Sequence, residues 1–279
     1  LAALTSGFAL AAYLATHLGL GLSITPALPA VIQVHGAVQV FGWLGLLIMG
    51  VSLHVLPRLS GAPLGHARWV AVPAYLVTTS LVLRTAAQLA LGLGEPIWAG
   101  PALVVAGIAM GLGGVVYVWM IAASLRSASI DPHTHPKIAS LRPLLVIALA
   151  GWLTCTAAMG VGVVSTALTG GGLVAAALHV LCLDLFVAAV VLPVAFVFSR
   201  QLLPLYLGIE VSRTPLTAFA AVYAAATVLD FGSRAAGPLL EPTPHAVIAL
   251  GQLAAVVRGL SLIWFVVGLR LHRRRQRRG

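Results

Sequence analysis

Eight runs of 20 or more largely apolar residues, each closed by turn-forming residues, run through this chain of 279 residues from end to end. They cover residues 2–22, 31–57, 69–93, 98–124, 142–168, 173–199, 214–233 and 245–270. A bilayer core of about 30 Å takes about 20 apolar residues as a helix, so each run matches one crossing. In hydrocarbon the backbone N–H and C=O groups must be satisfied within the segment, which leaves the helix as the form for such a run. The breakers between runs are S-I-T-P-A-L-P, R-L-S-G-A-P-L-G, G-L-G-E-P, D-P-H-T-H-P-K, T-G-G-G, V-S-R-T-P and L-E-P-T-P, all of them turn chemistry. The expected fold is all-α, a polytopic membrane bundle of eight helices in a single membrane domain, residues 1–279.

Composition agrees: 60% of residues are apolar and 8% charged, against about a quarter charged in a soluble domain. After eight crossings no length remains for a soluble domain. Cys155 and Cys182 lie inside apolar runs with no C-x-x-C spacing and read as small core residues. The first run has no charged leading segment and no cleavage site, so it reads as a span rather than a signal peptide. The chain starts at a leucine, which leaves room for residues ahead of it.

Charge orients the bundle. Arg58, Arg68, Arg126, Lys137, Arg142, Arg200 and Arg213 all fall on alternate loops, on the same side as the tail R-R-R-Q-R-R. The remaining loops carry Glu95 and Glu241 and almost no positive charge. Basic loops stay in the cytoplasm, so both termini are expected there, in a plasma membrane of bacterial type. The net charge of +10 follows from this topology. The basic stretch 271–279 reads as a cytoplasmic anchor, and no nucleic-acid partner is expected.

A shift of 146 residues superposes Leu83 on Leu229, Arg84 on Asp230, Ala90 on Ala236, Leu93 on Leu239 and Glu95-Pro96 on Glu241-Pro242. Residues 1–128 and 138–270 thus read as two copies of a four-helix unit. Both copies start inside, which makes them parallel repeats.

Ionisable side chains are costly in hydrocarbon and mark the interior of a bundle. They are His17, His35, His54, Arg84, His179, Asp184, Asp230 and Arg258. Arg84 with Asp230, and Asp184 with Arg258, are the expected neutralising pairs. On an α-helical wheel Gln39 and Gly42 fall within about 40° of His35. That strip suits either a flat macrocycle ligated by His35, with Gly42 as the recess, or a core histidine beside packing glycines. His179 lies at similar depth in the other repeat and is the natural second axial ligand, with His17 as its rival. Arg234, at the outer end of the seventh run, suits either haem propionates or the membrane interface. His66, His133 and His135 sit in turns and read as solvated loop residues.

The segment H-G-A-V-Q-V-F-G-W-L-G-L-L-I-M-G-V-S-L-H-V-L-P-R-L resembles the second helix of the catalytic subunit of haem–copper oxidases, above all cbb-type oxidases and nitric oxide reductases. It is equally similar to the NnrS family of haem- and copper-containing membrane proteins. The matching residues are His35, Phe41, Gly42, Gly50 and Pro57, and R-L-S-G-A-P-L and L-R-T-A-A-Q-L-A extend the likeness to NnrS. The resemblance implies that His35 ligates haem b. Ala37 and Gln39 replace the motif's second histidine and methionine, and no span holds adjacent histidines, so copper has no clear site. Three functions follow as expectations. The first is a haem b protein for electron transfer or for binding nitric oxide or oxygen, as an oxidoreductase component with a redox partner. The second is a cofactor-free transporter or channel working through its Arg and Asp pairs. The third is an anchoring subunit among other membrane subunits.

Overall fold

The computed structural model describes residues 2–22, 27–61, 63–94, 96–127, 136–208, 215–237, 240 and 244–269. Eight helical rods stand where the apolar runs lie: α1 (Ala2–Gly19), α2 (Leu28–Ser60), α3 (Val72–Leu91), α4 (Ala99–Ser127), α5 (Pro136–Leu168), α6 (residues 176–207), α7 (Leu216–Ala236) and α8 (His245–Gly268). No strand occurs among the described residues. Seven of the rods, α2 to α8, are long and apolar enough to cross a membrane. The 18 residues of α1 reach about 27 Å, and α1 is not among those seven. Two ends run past the apolar stretches. α5 begins at Pro136, and α6 continues through Arg200, Gln201 and Pro204 to Leu207. Hydropathy marks the apolar part of a helix, whereas the backbone ladder continues wherever polar residues tolerate it.

Two helices change pitch midway. In α2 an α-helix (Leu28–Ala37) passes into a π-helix (Val38–Gly45) and returns to α (Leu46–Ser60). In α6 the same order is Ala176–Phe186, a π-helix at Val187–Val191, then Leu192–Leu207. The π segments end at Gly45 and Val191, 146 residues apart. Each helix carries an interior proline further on, Pro57 or Pro204, and stops at a left-handed glycine, Gly61 (φ 65°) or Gly208 (φ 61°). Only glycine takes that conformation without a Cβ penalty.

The π turn of α6 has an identifiable cause. Pro193 has no N–H, and in the i→i+5 pattern the carbonyl it leaves without a donor belongs to Ala188. Tyr223 of α7 donates its hydroxyl to that carbonyl at 2.5 Å.

The chain divides into two compact units, residues 1–129 with 152–186, and residues 130–151 with 187–279. In the first unit α3 packs along α4, and α1 lies on the π segment of α2. Its aromatic core joins Tyr117 to Trp152 (centroids 4.5 Å), Trp152 to Phe186 (5.1 Å) and Phe41 to Phe186 (4.8 Å). α4 and α5 meet backbone to backbone, since a Cβ on Gly107 would lie 2.5 Å from the Gly160 carbonyl oxygen. In the second unit α7 packs along α8. Phe196 gathers Phe219, Tyr223 and Phe265 around it at 5.2, 5.4 and 4.5 Å. Cys155 and Cys182 are free and buried, in keeping with small core residues.

Candidate functional site

The first unit holds a polar network inside its apolar helices, and Arg84 is its centre. Arg84 sits seven residues before the end of α3 and is 1% exposed. Its Nε donates to Gln88 Oε1 at 2.9 Å, one helical turn on, the spacing that places i and i+4 side by side. Its Nη1 donates to the Met159 thioether at 3.0 Å, and Nη2 lies 3.3 Å from His179 Nδ1. Gln88 continues the chain, donating to the Gly172 carbonyl at 2.9 Å and to Gln33 Oε1 at 3.4 Å. Gln33 then grips Val174 by both backbone groups, donating to its carbonyl at 2.6 Å and accepting from its N–H at 3.2 Å. Four helices, α2, α3, α5 and α6, and the turn between α5 and α6 are tied together by these bonds.

Energetics explain why the network is so complete. An arginine at the centre of a membrane helix costs roughly 3 kcal/mol even on the lenient insertion scale. Hydrogen bonds to a charged group return about 1.5–3 kcal/mol each. Arg84 has no carboxylate partner among the described residues. Several neutral acceptors therefore share the charge that one anion would have met.

The expected ion pairs are corrected by the structure. Asp230 does not meet Arg84; it meets Arg258, with Nη1 to Oδ2 at 2.8 Å. The contact is a charge pair rather than an aligned hydrogen bond. Arg258 also lies over the Phe231 ring, with Cζ 5.0 Å from the centroid. Equivalent places in a repeat specify depth, whereas pairing requires facing helices, and α7 packs on α8.

His35 is half-buried and its Nδ1 lies 3.1 Å from the Gly7 carbonyl of α1. An acceptor there calls for the proton on Nδ1, which leaves the lone pair on Nε2. That is the arrangement of a metal-ligating imidazole, one nitrogen anchored to a carbonyl and the other free to bind. His179 has the opposite arrangement. Arginine has only donors, so Nδ1 of His179 accepts and its proton resides on Nε2, beside Gly36, where an added Cβ would lie 3.4 Å away. Consecutive helix residues point about 100° apart, so His35 turns to α1 while Gly36 turns to His179. The two imidazoles thus occupy different faces of α2. A bis-histidine pair would need both rings on one face, which this arrangement does not give.

The remaining sequence candidates are dispersed. Gln39 shares the α1 face with His35, and a Cβ on Gly7 would fall 2.6 Å from its Nε2. Gly42 is buried within the π segment, whose wider turn carries it off the line counted from His35. The strip next to His35 is therefore covered by α1 rather than left as a recess. His17, buried beside Tyr13 at 5.4 Å, is ten residues from Gly7 on α1, roughly 15 Å along the axis. Arg234 is exposed, lies over Phe231 at 5.0 Å and belongs to the second unit. His54 is exposed at a groove of about 390 Å³ with Met49, Leu53 and Val70. His66 takes a left-handed conformation (φ 56°) and stacks on Trp119 at 3.8 Å. His133, His135, Glu95, Glu241, Arg213 and the tail lie outside the described residues. Among the described residues no three His, Cys, Asp or Glu side chains gather as a metal site.

Gln33, Gln88 and Met159 escaped the sequence reading. A signal existed for the glutamines, amides inside otherwise apolar runs; Met159 carried none. These features define the class, an all-helical bundle of apolar, membrane-length helices with a buried polar centre in each compact unit. No protein-family model, curated protein or solved structure matches the chain.

Proposed function

We propose that this chain is a multi-pass protein of a bacterial-type plasma membrane, with both termini in the cytoplasm, that binds haem b through His35 as its one protein ligand. The observation that carries this reading is the His35 Nδ1 to Gly7 carbonyl contact of 3.1 Å, within the segment that resembles haem-binding helices. The matched π segments and helix ends of α2 and α6 support a duplicated four-helix unit. A haem held by His35 alone would supply the chemistry for binding a diatomic gas such as nitric oxide or oxygen. The chain's own part is to hold the His35 ring. The Gly7 carbonyl fixes its tautomer and strengthens it as a ligand.

The test is optical. Protein purified from membranes should show a Soret band, a haem b pyridine haemochrome and a spectral shift with carbon monoxide. His35→Ala should lose the band, and His179→Ala should keep both band and shift. Wild-type protein without a Soret band ends the proposal; a band that survives His35→Ala but not His179→Ala transfers the ligand.

A second reading, a cofactor-free transporter, is favoured by Arg84, a buried cation with no carboxylate partner among the described residues. It requires anion flux in liposomes that Arg84→Met abolishes.

A further inference from the structure

Residues 1–130 hold a single acidic side chain, Glu95, separated along the chain from Arg58 and Arg68 by the whole of α3. Both arginines are exposed. Arg68 has its Cζ 5.8 Å from the Trp69 ring, and among the described residues no carboxylate pairs with either guanidinium. Arg126 joins them, exposed near the end of α4. It lies two residues from Ser124, whose hydroxyl accepts the Gly65 N–H at 2.8 Å and so ties the loop carrying Arg68 to that helix. Three cations thus collect at one end of the first unit with no acid to meet them.

The same end carries a groove of about 390 Å³ between α2 and α3. Leu46, Gly50 and His54 line it from one face of α2, at i, i+4 spacing, over about 12 Å of helix. Leu64 of the connecting loop, Val70 and Ala74 complete the walls. Arg58 stands one turn beyond His54 on that face, and Arg68 comes two residues before Val70, so both charges flank one end of the groove. α3 begins at this end with no capping side chain and no acidic residue in its first turn, and its dipole adds to the positive potential. Trp69 and Tyr75 are exposed beside it, the residue types of a membrane–water interface. An apolar groove with its cations confined to one end matches a molecule with an anionic head and hydrocarbon chains. A soluble anion would leave the apolar walls unused, and a neutral lipid would leave the arginines unmet.

We propose that the groove between α2 and α3 seats an acyl chain of an anionic phospholipid whose phosphate is met by Arg58 and Arg68. Phosphate suits the planar donor fork of a guanidinium, and Arg126 adds attraction from the neighbouring helix end. The inference rests on the chain residing in a bilayer and is independent of haem.

The experiment uses the full chain, extracted from membranes in mild detergent, exchanged with phosphatidylglycerol or phosphatidylcholine and examined by native mass spectrometry. Phosphatidylglycerol should be retained and phosphatidylcholine should not. Arg58→Gln with Arg68→Gln should lower retention about fivefold for each charge removed. Gly50→Leu should lower it as much by filling the groove. A Cβ at Gly50 meets open space, and leucine favours the helix more than glycine does, so misfolding does not explain that loss. Retention unchanged in the double arginine variant overturns the phosphate contact, and retention unchanged in Gly50→Leu overturns the seat of the acyl chain. Equal retention of phosphatidylcholine overturns the anionic ligand. A chain found outside the membrane fraction overturns the bilayer reading itself; a membrane-embedded chain without selective retention overturns the lipid site alone.

Discussion

Arg84 of α3 and Asp230 of α7 stand 146 residues apart, both buried in their units, yet their charges are met in opposite ways. Asp230 has one countercharge on the neighbouring helix, Arg258 at 2.8 Å. Arg84 shares its charge among an amide oxygen, a thioether and an imidazole. A single pair concentrates the interaction, and removing one partner leaves a whole charge behind. A network divides it, and removing one member leaves neutral acceptors to find other donors.

The pair should therefore be the more brittle of the two. Asp230→Ala is expected to cost about 3 kcal/mol, read as thermal unfolding of the purified protein in detergent, because Arg258 then lacks its countercharge. Asp230→Ala with Arg258→Leu should recover most of that loss; a double variant no more stable than the single would show that the pair is not the source. Arg84→Met should cost less, about 1–2 kcal/mol. It leaves Gln88 Oε1 and His179 Nδ1 without a donor while removing the burden of a buried cation. A loss greater than that of Asp230→Ala would reverse the comparison. The smallest effect belongs to Tyr223→Phe, about 1 kcal/mol, through the Ala188 carbonyl that Pro193 leaves without a donor. Faster amide exchange near residues 188–193 should accompany it, and unchanged exchange would mean that the π turn holds without the tyrosine.

Much of the architecture was legible in the residues. The ends of α1, α3, α7 and α8 fall within three residues of the apolar runs, because turn chemistry acts locally. α5 and α6 overran their expected ends, since a helix can continue in polar sequence. The candidate site was less legible. His35, Gln39 and Gly42 were aligned on an α-helical wheel that α2 does not keep beyond Ala37. His179 was matched to His35 by depth, although Arg84 holds it on another face of α2. Gln33 carried no charge to draw notice, yet its two bonds to Val174 tie α2 to the turn between α5 and α6.

By itself the sequence determined how many helical rods form and where most of them start and stop, α5 and α6 excepted, because apolar run length, prolines and glycines act through the local backbone. The tertiary structure alone decided which polar residues meet. Asp230 found Arg258 because α7 packs on α8. Arg84 found Met159 and His179 because α5 and α6 bring those side chains against α3. Pairing depends on the rotation of each helix about its axis and on the choice of neighbour. A few residues of π-helix change that rotation, with little effect on the pattern of apolar residues from which the helices can be read.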